Sequence, residues 1–391
     1  MYRDMLKLFA KVISLFPLRN IVVFESSPDY SCNTFPVFVE LKDKLPDYKM
    51  VWYAKKTTPI VKGVDDVVFR DENSFFNRLK LAYYKWFSKV LICSNTGIKK
   101  QRIDQLSICL THGSVTKKMK GLYESGKCVD YISVQSHFFD KLTEEECGAS
   151  PNKFIYLGFP RCDYFYEKND AIHDQLKKIG VKGKFVVWLP TFRKQSISGR
   201  DAHSKQFESM GIPLVYSEQM LKELDDFLVK KDIYICYKPH PVYEIPTKTC
   251  EGLRNMRIIR DSDLQSIGIQ LYQLLAYSEA LITDYSSVYF DYLLLNKPMA
   301  TTLDDVECWK KGNGFAFDLE KLYAETNESL FTLEDLLDFI EVVVIGGKDT
   351  REEARLKMCD LTNMHKDGFS AKRVADFVMD RIDKGRFRSM I

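Results

Sequence analysis

The sequence predicts an α/β protein of two Rossmann-like domains, each a parallel sheet covered by helices on both faces. Three observations lead there. Short apolar runs of four to six residues recur along the chain, as in strands buried on both faces. Longer helical stretches separate them, and strand–helix alternation implies parallel sheets. A polar segment, EKNDAIHDQLKKIGVKGK (167–184), splits the runs into two groups of similar size, and 391 residues suit two to three domains at ~100–200 residues each.

The first group of runs is IVVFE (21–25), MVWYA (50–54), DVVF (66–69), KVLICS (89–94), SICL (107–110), YISV (131–134) and FIYLG (154–158). The second is KFVVWL (184–189), IYICYK (233–238), MRIIR (256–260), ALITD (280–284) and the weaker PMATT (298–302). Helical patterns fill 217–231, 269–279 and 333–345, VYFDYLLLN opens a helix after Ser287, and a last helix spans 370–384. The expected division is 1–170 and 171–365, with 366–391 following both. No internal repeat or low-complexity segment is visible.

Composition narrows the function. Apolar residues make up 45% and charged residues 28% of the chain, which excludes disorder and fibrous repeats. The net charge of +3 gives no footprint for a nucleic-acid partner. No run reaches the ~18–20 apolar residues of a membrane span. Ten cysteines occur without a Cys-x-x-Cys pair, and Cys93, Cys109 and Cys236 sit inside strand-like runs. Free cysteine behaves as a small buried hydrophobe, and no signal cleavage site follows the first apolar stretch. A cytoplasmic location is expected. Residues 1–17 read as an amphipathic helix: Arg3, Asp4, Lys7, Lys11 and Ser14 share one ~100° arc. Apolar residues fill the rest, so this segment is expected to contact a lipid surface.

Ligands of open parallel sheets bind outside the carboxyl ends of the strands, so the residues after each strand matter most. Ser26 and Ser27 follow the first run; Thr111, His112, Gly113, Ser114, Lys117 and Lys118 follow SICL. Arg161 and Asp163 follow FIYLG, and Thr191, Phe192 and Arg193 follow FVVWLP. Lys238, Pro239, His240 and Pro241 end one strand of the second group, and Asp284, Tyr285, Ser286 and Ser287 end another. Hydroxyls, two histidines and cations at one rim suit a phosphate or pyrophosphate. Two serines at a helix start add N–H groups and a favourable dipole; the alternative is that Asp284 or Ser286 only caps that helix. His240 is clamped between prolines, and Gly113 lets a ligand approach the backbone beside His112. The other histidines have no such company.

No Walker A loop and no G-x-G-x-x-G occurs, which argues against ATPase and dinucleotide chemistry. No cluster has metal-ligand spacing, and no cofactor is called for. Asp261-Ser262-Asp263 forms a lone D-x-D, a pattern that holds a metal-bound nucleotide in some transferases.

In this order the motifs resemble those of the CDP-glycerol glycerophosphotransferases of teichoic-acid and capsule assembly. Phe24-Glu25-Ser26 with Asn33 resembles an opening FES…N, and Thr111-His112-Gly113-Ser114 with Lys117 and Lys118 a W-H-G-T-x-x-K segment. Gly158-Phe159-Pro160-Arg161 with Asp163 resembles G-x-P-R-x-D; Pro190 to Arg193 matches P-T-F-R; Lys238 to Pro241 resembles K-x-H-P. LITDYSSVYFD (281–291) with Lys297-Pro298, and Asp367-Gly368 with Arg373-Val374, complete the series. Thr111 stands where the family usually has Trp, and Ser114 where it has Thr, which bears on acceptor identity.

The resemblance implies a GT-B-type fold, two Rossmann-like domains facing across a cleft with the C-terminal helix crossing back to the first. It implies transfer of glycerol-phosphate or ribitol-phosphate from a CDP-alditol to a hydroxyl of a lipid-linked or glycan acceptor, with release of CMP, at the inner face of the cell membrane. His112 would be the base, and His240 would contact the donor pyrophosphate beside Lys238. Arg193, Ser286 and Ser287, with Thr191, would hold phosphate oxygens, and Asp284 would be cap or donor ligand. Ser26, Gly113, Ser114, Lys117 and Arg161 would line the rest of the cleft. Two other classes compete: a GT-B glycosyltransferase using a nucleotide sugar, and a non-catalytic nucleotide-binding scaffold.

Overall fold

The computed structural model describes residues 12–95, 99–116, 118, 125–191, 194–195, 200–201, 210–240, 251–312 and 314–384. The chain forms two compact units, one of residues 1–114, 120–163 and 367–391, the other of 115–119 and 164–366. The boundary thus falls at Asp163–Tyr164 and Lys366–Asp367.

The first unit carries β1 (Arg19–Glu25), β2 (Lys49–Ala54), β3 (Asp66–Phe69), β4 (Ser88–Cys93), β5 (Leu106–Cys109), β6 (Tyr131–Ser133) and β7 (Phe154–Ile155). They form one sheet in the order β3-β2-β1-β4-β5-β6-β7, every pair parallel. The second unit carries β8 (Phe185–Trp188), a short antiparallel pair β9 (Lys194–Gln195) and β10 (Arg200–Asp201), and then β11 (Tyr234–Tyr237) and β12 (Met256–Ile258). β13 (Ala280–Thr283), β14 (Met299–Thr302) and β15 (Glu328–Leu330) follow. Its six-stranded sheet runs β12-β11-β8-β13-β14-β15, again parallel throughout. Numbered by the strands of each sheet, the second has the order 3-2-1-4-5-6 and the first the same order with a seventh strand added, so each has a switch point where ligands of such sheets bind: between β1 and β4 in the first, between β8 and β13 in the second.

Each sheet is packed on both faces. In the first unit Phe24, Phe38 and Trp52 meet with ring centroids 5.4–5.7 Å apart. Val374, Ala375 and Val378 of the C-terminal helix Ser370–Lys384 join the same core. In the second, helix Glu218–Lys230 is capped by Ser217, whose side chain accepts from the N–H of Met220. Its buried Leu221, Leu224 and Leu228 follow the i, i+3, i+7 spacing of one helical face and pack with Val186, Trp188 and Ile235.

Three features differ from the sequence reading, the first being the short antiparallel pair β9–β10, which carries no apolar run. The pattern over 333–345 is an α-helix only over Leu333–Asp338 and continues as a π-helix over Phe339–Ile345. β15 was not expected; it is three residues long and half-exposed at its first two positions, so it carries no apolar run. Among the described residues no helix is long and apolar enough to cross a membrane.

Candidate active site

Because both sheets are parallel, every motif that ends a strand lies at the carboxyl edge of its own sheet. Burial then sorts the motif residues. Ser26, Arg161, Asp163, Thr191, Lys238 and Asp284 are buried. His112 and His240 are exposed, and Gly113, Ser114, Ser286 and Ser287 are half-buried. The buried group turns out to be largely a framework for the accessible one.

In the first unit the loop after β1 folds on itself. Ser26 Oγ accepts from the N–H of Ser31 at 3.3 Å, and Ser31 Oγ donates to the Pro28 carbonyl at 2.6 Å. The N–H of Ser27 donates 3.0 Å to Asn95 Oδ1, tying the loops after β1 and β4 together at the switch point. Asn33 fixes the His112 loop: its Nδ2 donates to the carbonyls of Leu110 and Thr111, 3.0 Å each, and its Oδ1 accepts from the N–H of Arg161 at 3.1 Å. Arg161 Nη1 donates to the His112 carbonyl at 2.8 Å. These bonds hold Thr111 at φ 55° and Gly113 at φ 133°. The first is a left-handed conformation that a β-branched residue adopts only when its surroundings impose it. Ser114 Oγ donates to Gln135 Oε1. His112 Nδ1 lies 3.1 Å from Cys32 Sγ, a partner that no sequence signal announces.

The G-x-P-R-x-D and D-G…R-V motifs meet in a structural clasp. Asp163 accepts from the N–H groups of Ser370 and Ala371 at 2.9 and 2.7 Å, satisfying two of the unpaired donors at the start of the last helix. Burial nonetheless raises the Asp163 carboxyl above its usual range. Arg373 donates to the Leu157 carbonyl at 3.0 Å and pairs with Asp367 at 2.7 Å. At Gly158 (φ 80°) a Cβ would lie 2.4 Å from Ser370 Oγ, so only glycine fits.

In the second unit Asp284 is neither helix cap nor surface group. It is fully buried, and its carboxylate accepts from the Thr191 N–H at 2.8 and 3.0 Å and from the Thr191 hydroxyl. This pair bridges the ends of β8 and β13 at the switch point. The helix that follows spans Val288–Tyr292, and Ser287 at its N-cap makes no capping bond. Ser286 Oγ accepts a 3.4 Å contact from the Val288 N–H. Lys238 is buried and pairs with Asp261 at 2.9 Å; Asp263 accepts from the Arg260 N–H at 2.7 Å. The D-x-D thus serves a lysine and a helix start. Among the described residues no group of three or more His, Cys, Asp or Glu side chains could hold a metal ion. Lys297 is a strut, donating to the carbonyls of Ala276 and Ser278 at 2.8 and 2.7 Å. Thr116 Oγ1 donates to the Tyr285 carbonyl at 3.1 Å within the second unit. Lys117, Arg193, Pro241 and residues 1–11 lie outside the described residues.

Two doubly wound parallel units, with the last helix returning to the first, make a fold of the GT-B class. Residues 8–380 match the CDP-Glycerol:Poly(glycerophosphate) glycerophosphotransferase family, and the chain belongs to that family of transferases. It is 22% identical over 385 residues to the teichoic acid glycerol-phosphate primase of Bacillus subtilis (strain 168), covering 90% of each chain. It is 28% identical over 256 residues to the teichoic acid ribitol-phosphate primase of Bacillus spizizenii, covering 64% of this chain and 57% of that one. Among solved structures it is similar to the wall teichoic acid polymerase TagF, with a TM-score of 0.75 at 16% identity over 96% of this chain and 93% of that one.

Proposed function

We propose that the chain transfers glycerol-phosphate or ribitol-phosphate from a CDP-alditol to a hydroxyl of a lipid-linked or glycan acceptor, releasing CMP, in teichoic-acid-like or capsule polymer synthesis. The observation that carries this reading is the exposed imidazole of His112 on a loop over-determined by buried Asn33 and Arg161, within a chain whose family match spans 8–380. The acceptor oxygen attacks the phosphorus that bears the alditol, His112 takes its proton, and the bond to the CMP oxygen breaks. In phosphoryl transfer the protein positions the reactants and neutralises charge, and an imidazole is a base matched to neutral pH. His240, Arg193, Ser286 and Ser287 hold donor phosphate oxygens. Thr191 is presented to them by Asp284, and Lys238 lies beside His240.

Lipid contact belongs to the same proposal. Helix Phe75–Phe87 turns Asn77 and Tyr84 inward and leaves Phe75, Phe76, Leu79 and Tyr83 between 45% and 81% exposed. These residues fall within one ~100° arc, flanked by Arg78 and Lys85. Upstream, Leu15 and Phe16 are exposed, and Arg102 Nη1 fastens that segment by donating to the Phe16 carbonyl at 2.8 Å. An apolar face rimmed by bases fits an anionic lipid surface.

CMP release from CDP-glycerol and CDP-ribitol, run beside UDP- and GDP-sugars, tests the reaction. His112→Ala is expected to lower kcat by ~10²–10⁴-fold, the usual worth of a general base, with donor Kd little changed. Turnover of a nucleotide sugar in place of both CDP-alditols would overturn the reading.

A further inference from the structure

We propose that Cys32 is the positioning residue of the base: as a thiolate it accepts the Nδ1–H of His112 and leaves the Nε2 lone pair free for the acceptor proton. This rests on the assignment of His112 as base. The two residues are 80 positions apart in sequence, yet Cys32 Sγ and His112 Nδ1 are 3.1 Å apart. Arg161 Nη1 stands 3.5 Å from the same sulfur and also donates to the His112 carbonyl. Cys32 itself sits at φ 59°, beside Asn33 and the bonded Ser26–Ser31 loop, so its sulfur is placed by the fold.

The protonation states give the arrangement its meaning. A neutral thiol donating to Nδ1 puts the ring proton on Nε2, and that tautomer cannot act as base there. A thiolate facing an imidazolium has both ring nitrogens occupied. Only the thiolate with a neutral, Nδ1-protonated ring offers Nε2 as acceptor, the role a carboxylate plays for histidine in hydrolytic triads. When the acceptor oxygen bonds to phosphorus, its proton moves to Nε2, the bond to CMP breaks, and the thiolate stabilises the new imidazolium. The ring proton is then lost to solvent, and no oxidant or reductant is needed. The charged and titratable groups acting on the sulfur are His112, from the loop after β5, and Arg161, from the turn Pro160–Phe165; the Asn33 N–H also bonds it. Burial alone would raise the thiol, but these groups outweigh it and bring it down to about 6.

Two measurements test this on the full chain. The first needs no activity: the pH dependence of Cys32 alkylation by iodoacetamide, read by mass spectrometry on the peptide that contains it. A midpoint near 6 is expected in the native protein, moving toward the ordinary thiol value of ~8.5 in His112→Gln. A native midpoint already near ~8.5 and unmoved by that substitution would refute the pairing. The second is the pH profile of kcat for CMP release. Cys32→Ser, whose hydroxyl stays protonated and donates to Nδ1, is expected to lower kcat ~10–100-fold, the range typical of histidine-orienting partners, with KM for CDP-alditol little changed. Cys32→Asp, a residue that tolerates left-handed φ, should restore most of it. Equal kcat in the native and Ser variants would end the positioning role. If no CDP-alditol is turned over, the assignment of His112 fails, and alkylation alone decides whether the pair exists.

Discussion

Thr191 and Asp284 tie together two strand ends of the second sheet. Thr191 follows β8, Asp284 follows β13, and three hydrogen bonds into one buried carboxylate close the gap at the switch point. Thr191→Val keeps the shape and removes one donor to a buried charge, a loss of ~1.5–3 kcal/mol. We expect a lower urea midpoint and weaker CDP-glycerol binding by calorimetry, both restored in Thr191→Ser; unchanged values in the Val variant would show that the bridge is dispensable. The residue types after the strand ends were legible in the sequence: hydroxyls, imidazoles and cations. Which of them are buried and which accessible was not. Nothing in K-x-H-P says that Lys238 is buried against Asp261 while His240 is exposed, because burial is decided by residues distant in the chain. Cys32 illustrates the limit, since its only signal is a contact across 80 positions.

At the scale of elements, strands were the readable part. All twelve apolar runs became strands, eleven of them within a residue or two and FIYLG shortened to Phe154–Ile155, since a strand buried on both faces writes itself as a continuous apolar run. β15, with only its last residue buried, left no such trace. The C-terminal helix was legible by its period, but not its fastening. Asp163 caps it from 207 residues upstream, and Ser370, Val374 and Val378 are buried in the first unit. Two N–H groups of the first turn depend on that carboxylate. Asp163→Ala should therefore cost ~1–2 kcal/mol, as a lost N-cap does, and speed proteolysis within 370–384. A native-like urea curve with unchanged cleavage there would mean that packing alone holds the helix.

For the molecule as a whole, the proposed lipid contact must be carried by its surface. A net charge of +3 is too small for long-range attraction, and any steering must come from local groups. The helix Phe75–Phe87 supplies them in an inverted arrangement: polar Asn77 and Tyr84 face the protein, while aromatic rings face outward. In water this exposes apolar area at a cost of ~25 cal/mol per Å²; against a bilayer interface the same area is favourable, and Arg78 and Lys85 flank it, while Lys80 is held by Asp66 and the Val67 carbonyl. Phe75→Ser with Phe76→Ser removes two rings, each worth ~1.5–3 kcal/mol when fully buried. Even partial insertion predicts at least a ~10-fold drop in partitioning onto anionic vesicles, since 1.4 kcal/mol is a factor of ten. The same variant should keep its urea midpoint, because neither ring packs in the core. Raising salt from 0.1 to 1 M shortens the screening length from ~10 to ~3 Å; it should weaken native binding without abolishing it, as the apolar part is insensitive to screening. Vesicle binding that survives loss of both rings but vanishes in high salt would assign the contact to charge alone and remove this helix from it.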